Sequence, residues 1–177
     1  MTTRVEPATP ALWKTVIDEG WLKDPDAILN LGFGKGQEGA LRATEALARV
    51  WHDQDPSQAP MGLYVGSEPV GFFVAEYLGV ERKTVRLTPY RVPHEMLPSV
   101  LETLFDGSAK REFDVRRIEV ELPVFSKSHI ASLRENGFKQ EARHRERLWD
   151  GNRRFDTVLM ALLRWQWEES SREDKVN

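Results

Sequence analysis

The sequence predicts an α/β domain: one central mixed sheet of about seven strands, flanked by helices. Three observations carry this expectation. Residues 117–122 alternate cleanly, with Ile118, Val120 and Leu122 on one side and Arg117, Glu119 and Glu121 on the other, as a half-buried strand requires. Residues 95–105 instead repeat at helical spacing through Leu97, Val100, Leu101 and Leu104. Strands and helices alternate only in the second half, whereas the middle reads as consecutive strands, an order that suits a mixed sheet better than a purely parallel one.

The elements follow in order. Residues 4–7 form a short first strand. Helical spacing begins after Thr9-Pro10, where Thr9 can cap and Pro10 can occupy the first turn, with Leu12, Trp13, Val16 and Ile17 on one face. Asp24-Pro25-Asp26 interrupts, and a glycine-rich stretch, residues 32–39, leads into a helix over 40–51 with Leu41, Thr44, Leu47, Ala48 and Trp51 on one side. A polar loop, 52–60, precedes two apolar runs, 61–65 and 70–77, joined by Gly66-Ser67-Glu68-Pro69 as a hairpin. Residues 83–88 make the next strand. After the 117–122 strand, 126–135 is a short helix ended by Asn136-Gly137, where glycine can take the left-handed conformation. Two last strands, 138–148 and 157–167, flank the turn Asp150-Gly151-Asn152, and 168–177 reads as a frayed tail. The predicted order is β-α-α-β-β-β-α-β-α-β-β.

Length and composition bound the function. The chain's 177 residues fit one domain, expected to span 1–177. Charged residues at 30% against 40% hydrophobic exclude a disordered composition. A net charge of −3 argues against general affinity for nucleic acid or anionic lipid. The absence of cysteine removes disulfides, thiolate metal sites and cysteine nucleophiles, and suits a reducing compartment. The first residues carry no apolar run and no window approaches ~18 apolar residues, so neither signal peptide nor membrane span is expected and the placement is cytoplasmic. The four histidines show no ligand spacing, so no metal site is expected.

The element order and the wording of the second half resemble the GNAT superfamily of N-acetyltransferases. Arg117-Ile118-Glu119-Val120-Glu121 resembles the family's fifth strand, and Glu135-Asn136-Gly137-Phe138-Lys139-Gln140-Glu141 its glycine-phenylalanine corner into the sixth. Arg143, Arg145, Leu148-Trp149-Asp150-Gly151, Asp156 and Met160 follow in the spacing of the ribosomal-protein N-terminal acetyltransferase branch. The resemblance covers 61–167 and is faint before that. It implies acetyl transfer from acetyl-coenzyme A (acetyl-CoA) to a primary amine: a protein N-terminus, a lysine or a small molecule. It also implies a slot where the fourth and fifth strands splay apart, with Leu87, Arg91, Val92, His94 and Ser126 at the cofactor. Assembly as a homodimer is left open.

The chain departs from the family pattern at the loop that would hold the pyrophosphate. Tyr90-Arg91-Val92-Pro93-His94-Glu95 contains no glycine, so Pro93 removes a donor and the other side chains crowd an approaching phosphate. Ser126 stands where the family has asparagine, and Leu133 where it often has the tyrosine that protonates the departing thiolate. Weakened acetyl-CoA binding follows, and with it an alternative: a catalytically inactive binding or assembly module.

Among residues that could carry chemistry, Glu121 matches the family's general base, with Glu119 beside it on the same face; both could equally be solvated carboxylates. Tyr90 and Tyr77 are the candidate acids, or packed tyrosines. Gly34-Lys35-Gly36-Gln37-Glu38-Gly39 satisfies G-x-G-x-x-G, yet no βαβ unit surrounds it, so a loop bordering the acceptor groove competes with a phosphate role. Alternation places Arg143, Arg145 and Arg147 on one face, opposite Ala142, His144 and Glu146, a stripe that is solvated or meets an anion.

Overall fold

In a computed structural model, residues 2–23, 36–52, 55–106, 114–149 and 153–173 are described. One seven-stranded mixed sheet runs in the order β1-β2-β3-β4-β5-β7-β6. Its strands are β1 (Thr3–Pro7), β2 (Gln58–Val65), β3 (Glu68–Leu78), β4 (Thr84–Arg91), β5 (Arg117–Pro123), β6 (Lys139–Trp149) and β7 (Arg154–Leu163). The described helices are α1 (Pro10–Asp18), α2 (Gly36–His52), α3 (Leu97–Phe105), α4 (Lys127–Glu135) and α5 (Arg164–Glu173). The strands and first four helices follow the predicted order.

Local rules explain most boundaries. The Thr9 side chain accepts from the Leu12 amide at 3.2 Å with Pro10 in the first turn, so α1 starts as its sequence dictates. Gly137 ends α4 with a φ of +85°, while the Phe138 amide returns to the Leu133 carbonyl at 3.0 Å. Asn136 reinforces that end by donating its side-chain amide to the Ser132 carbonyl at 2.9 Å.

The sheet divides the apolar residues into two cores. On one face Phe73, Val85, Ile118, Val120 and Leu162 pack with α3 and α4. On the other, α1 and α2 lay Leu12, Val16 and Leu47 against Phe72 and Val74 of β3 and Tyr90 of β4. The half of this second face formed by β4 to β6 instead carries charge. Arg86 donates through Nε and Nη2 to Glu119 Oε1, at 3.2 and 2.9 Å, and lies 3.9 Å from Glu76. Arg117 in turn lies 3.6 Å from Glu119 and donates to both carboxylate oxygens of Glu141. The Arg117–Glu141 pair, nearer the surface, contributes little alone, whereas Glu119 is buried between Arg86 and Arg117.

Three expectations are corrected. The last strand stops at Leu163 rather than continuing to residue 167, and the expected frayed tail starts as α5. Trp165 and Trp167 continue the period-two pattern, but Trp167 stacks on Phe105 at 5.1 Å and the Gln166 side chain accepts the Leu163 amide, so tertiary contact overrides alternation. On α1, Ile17 is 41% exposed; Leu12 and Val16, four apart, carry the contact. On α2, Ala43 and Leu47 face inward while Leu41 is 58% exposed, so the buried side is turned from the predicted one. Gly32 to Lys35 of the glycine-rich stretch and the turn Asp150-Gly151-Asn152 lie outside the described residues; Gly36 and Gly39 fall within α2. Among the described residues no helix is long and apolar enough to cross a membrane, and no group of three or more His, Asp or Glu could hold a metal ion.

Candidate active site

β4 and β5 are parallel neighbours for only three residues: Thr84 opposite Arg117, Val85 opposite Ile118 and Arg86 opposite Glu119. Both strands continue, β4 to Arg91 and β5 to Pro123, without pairing to each other. Each keeps its outer partner, β3 for β4 and β7 for β5. The sheet therefore opens between them, leaving backbone groups on the two inner edges that a ligand can pair with.

Two cavities border the opening. On the α3/α4 side lies a slot of about 30 Å³, apolar except for His94, His129 and Ser132. On the charged face lies a cleft of about 260 Å³, bordered by Arg86, Thr88, Glu121, Arg147 and Thr157. Leu87, Pro89 and Leu122 line both, so one layer of side chains separates slot from cleft.

Glu121 anchors the cleft. Its Oε1 accepts from Thr157 Oγ1 at 2.6 Å, meets His144 Nδ1 at 3.0 Å and lies 3.5 Å from Arg147 Nε. Burial works to raise its pKa, but the hydrogen bonds of Thr157 and His144 and the Arg147 charge outweigh it. The carboxyl is thereby held below the usual glutamate value. Glu121 is thus a carboxylate at neutral pH, able to accept a proton. Glu119, buried to 7% exposure, is committed to Arg86 and Arg117.

The expected cofactor residues divide. Leu87, Val92 and His94 come together on the slot. Arg91 does not line it, since its guanidinium lies over the Trp21 ring at 4.5 Å, on the α1 side. A bulge in β4 turns it there: Pro89 pairs with Phe73 and Arg91 with Phe72, leaving Tyr90 unpaired. Gly71 permits that bulge, because a Cβ there would sit 2.2 Å from the Arg91 carbonyl oxygen. Ser126 is buried at the start of α4 and touches neither cavity. Tyr90 stacks on Phe72 at 4.9 Å, and burial pushes its hydroxyl up to about 12. Tyr77 is buried in the α3/α4 core, where burial also raises its pKa. Neither tyrosine lines the slot or the cleft.

The loop before α3 turns in on itself. Residues His94–Met96 form a 3₁₀ turn in which the Met96 amide donates to the Pro93 carbonyl at 3.0 Å and the Leu97 amide to His94. Pro93 and Pro98 have no amide hydrogen to offer. Fewer donors than usual are therefore left at this helix start for an anion.

Three site residues escaped the sequence reading. Arg86 and Thr157 each belong to an alternating strand, and only the sheet order brings them beside Glu121. His129 precedes Leu133 by one helical turn on α4, a spacing that could have flagged it; its buried Nδ1 has no partner among the described residues. Burial, then the nearby His94 ring 5.4 Å away, lowers its pKa. Arg147 requires a correction. Alternation placed it away from His144, but Glu146 takes a φ of +51° and the β6–β7 register breaks between His144 and Leu148. Three residues, 145–147, stand opposite Asp156 alone, and Arg147 swings to the Glu121 side. Arg143 stays behind, pairing with Asp156 at 2.7 Å.

The fold as a whole is similar to that of solved structures. The spermidine N-acetyltransferase of Vibrio cholerae, in complex with CoA and spermine, superposes with a TM-score of 0.69 at 12% identity, over 94% of this chain and 98% of that one. The chain has the GNAT fold. A Salmonella typhimurium acetyl transferase that modifies the N-terminal serine of a 50S ribosomal subunit protein gives a TM-score of 0.65 at 15% identity, over 92% and 95%. A ribosomal alpha-N-protein acetyltransferase in complex with coenzyme A gives 0.64 at 13%, over 92% and 94%. No protein-family model matches the chain, and no curated sequence matches it significantly.

Proposed function

We propose that this GNAT-fold chain is an N-acyltransferase that moves an acetyl group from acetyl-CoA to a primary amine. The observation that carries the reading is the opening between β4 and β5 with the Glu121 carboxylate on one side and an apolar slot on the other. The residues fit the donor in part. Where β4 and β5 no longer pair with each other, backbone groups on their inner edges within 87–91 and 120–123 can hydrogen-bond an amide-bearing arm, and Leu87, Val92 and Leu133 suit its apolar stretches. The loop before α3 fits the pyrophosphate less well, for want of amide donors, so weak donor binding belongs to the proposal.

When bound, the donor supplies an activated acyl thioester. An amine must lose a proton to attack such a carbon, and Glu121 is placed in the cleft to receive it, directly or through a water. Thr157, His144 and Arg147 orient that carboxylate and keep it ionised. Leu87, Pro89 and Leu122, between slot and cleft, limit water at the junction. The acceptor classes are those of the fold: a small-molecule amine or a protein amino group. Release of free thiol from acetyl-CoA in the presence of an amine panel tests the reading. Amine-dependent release that falls on Glu121→Gln supports it, and no release with any amine contradicts it.

A further inference from the structure

Arg147 is held in the cleft by a costly piece of backbone. Glu146 has a left-handed φ of +51°, a conformation that disfavours a residue with a Cβ. Asp156 maintains it: one carboxylate oxygen accepts the Glu146 amide at 2.9 Å, the other binds Arg143 at 2.8 Å. The consequence is local and specific. A regular β6 would point Arg147 away from the cleft; the bulged β6 points it in, next to Glu121 and Thr157.

In that position the guanidinium is underused. Its side chain is 63% exposed, and among the described residues its one ion-pair contact is a 3.5 Å approach of Nε to Glu121, which leaves its terminal nitrogens without an ion-pair partner there. The carboxylates around the cleft are taken: Glu119 by Arg86 and Arg117, Glu141 by Arg117, Asp156 by Arg143 and Glu121 by Thr157 and His144. Among the described residues such a cleft offers no unpaired carboxylate for a polycation, but it offers a cation to an anion. We propose that the acceptor is a primary amine carrying a carboxylate close to its nitrogen, with the carboxylate on Arg147 and the amine facing Glu121. The 3.5 Å between the two side chains suits an amine and a carboxylate a few bonds apart, as in a free α-amino acid or an N-terminal aspartyl residue.

This rests on the acyl-transfer reading for its meaning but is tested by binding alone. Titrate the full chain, followed by NMR or calorimetry, with L-alanine, L-alaninamide, an amidated peptide beginning with aspartate, and spermidine. Saturable binding of alanine or of the aspartyl peptide, at least ~10-fold tighter than of alaninamide and spermidine, is expected, and which of the two binds identifies the source. Arg147→Ala should abolish that preference and Arg147→Lys restore part of it. Equal or tighter binding of alaninamide or spermidine, no saturable binding of either carboxylate probe, or a preference that survives Arg147→Ala overturns the proposal. Thiol release from acetyl-CoA, measured separately, decides the acyl-transfer reading whichever way these titrations fall.

Discussion

Glu121 owes its ionisation to neighbours on two other strands, Thr157 on β7 and His144 with Arg147 on β6. As a general base it should be worth ~10²-fold or more, so Glu121→Gln is expected to lower turnover by that factor and leave acetyl-CoA affinity nearly unchanged. Wild-type turnover in the variant would return Glu121 to a structural role. Its depressed pKa sets the sign of the acid limb. The ionised form is favoured in the folded state, so its stabilisation is present above the ordinary glutamate pKa of 4.5 and is lost as pH falls through the lower folded value. Turnover should therefore hold down to pH 5 on account of this group. His129 works the other way in charge but not in direction. Burial disfavours its protonated form, so the unfolded chain binds the extra proton first, and stability falls as pH drops below the ordinary value of 6.5. Urea midpoints between pH 8 and 5 should fall less in His129→Gln than in the wild type; parallel curves would show that His129 is not the group responsible.

Elements with one apolar and one charged face were legible because alternation and burial agree along them. β5 is the example: Ile118, Val120 and Leu122 enter the core, while Arg117, Glu119 and Glu121 meet partners on the far side. Alternation alone does not separate Glu121 from Glu119; the likeness of residues 117–121 to the GNAT fifth strand does. What the sequence concealed were departures from regular pairing. The bulge at Tyr90 moves Arg91 onto Trp21, and the bulge at Glu146 moves Arg147 into the cleft; each depends on a partner strand that no local pattern announces. The start of α5 was hidden similarly, by a contact between Trp167 and Phe105, more than sixty residues apart in sequence. These elements also carry predictions. Gly71→Ala forces a Cβ against the Arg91 carbonyl, so the β4 bulge must shift, and a loss of ~1–3 kcal/mol is expected in denaturant unfolding. Gly137→Ala, at a φ of +85° but with its nearest neighbour 3.4 Å away, should cost ~1–2 kcal/mol from backbone strain alone. Equal stability of wild type and Gly71→Ala would show that the bulge is not fixed by that close approach.

At the scale of the molecule, the proposed acyl transfer needs the opened sheet for both donor and acceptor, and the loop before α3 weakens the donor side. Pro93 and Pro98 lack amide hydrogens, and the Met96 and Leu97 amides are spent inside the turn. Losing two charge-assisted bonds to a pyrophosphate removes roughly 3–6 kcal/mol, or about 10²- to 10⁴-fold in affinity. Donor binding that would start near the micromolar end of the usual range should then lie in the high-micromolar to millimolar range. What remains is more dependent on side-chain charge and hence on salt. The direct test is a calorimetric titration of the whole chain with acetyl-CoA at low and high ionic strength. The account predicts saturable binding in that weak range, loosening further as salt is raised. No saturable heat up to about 50 mM acetyl-CoA would contradict the acyl-transfer site itself.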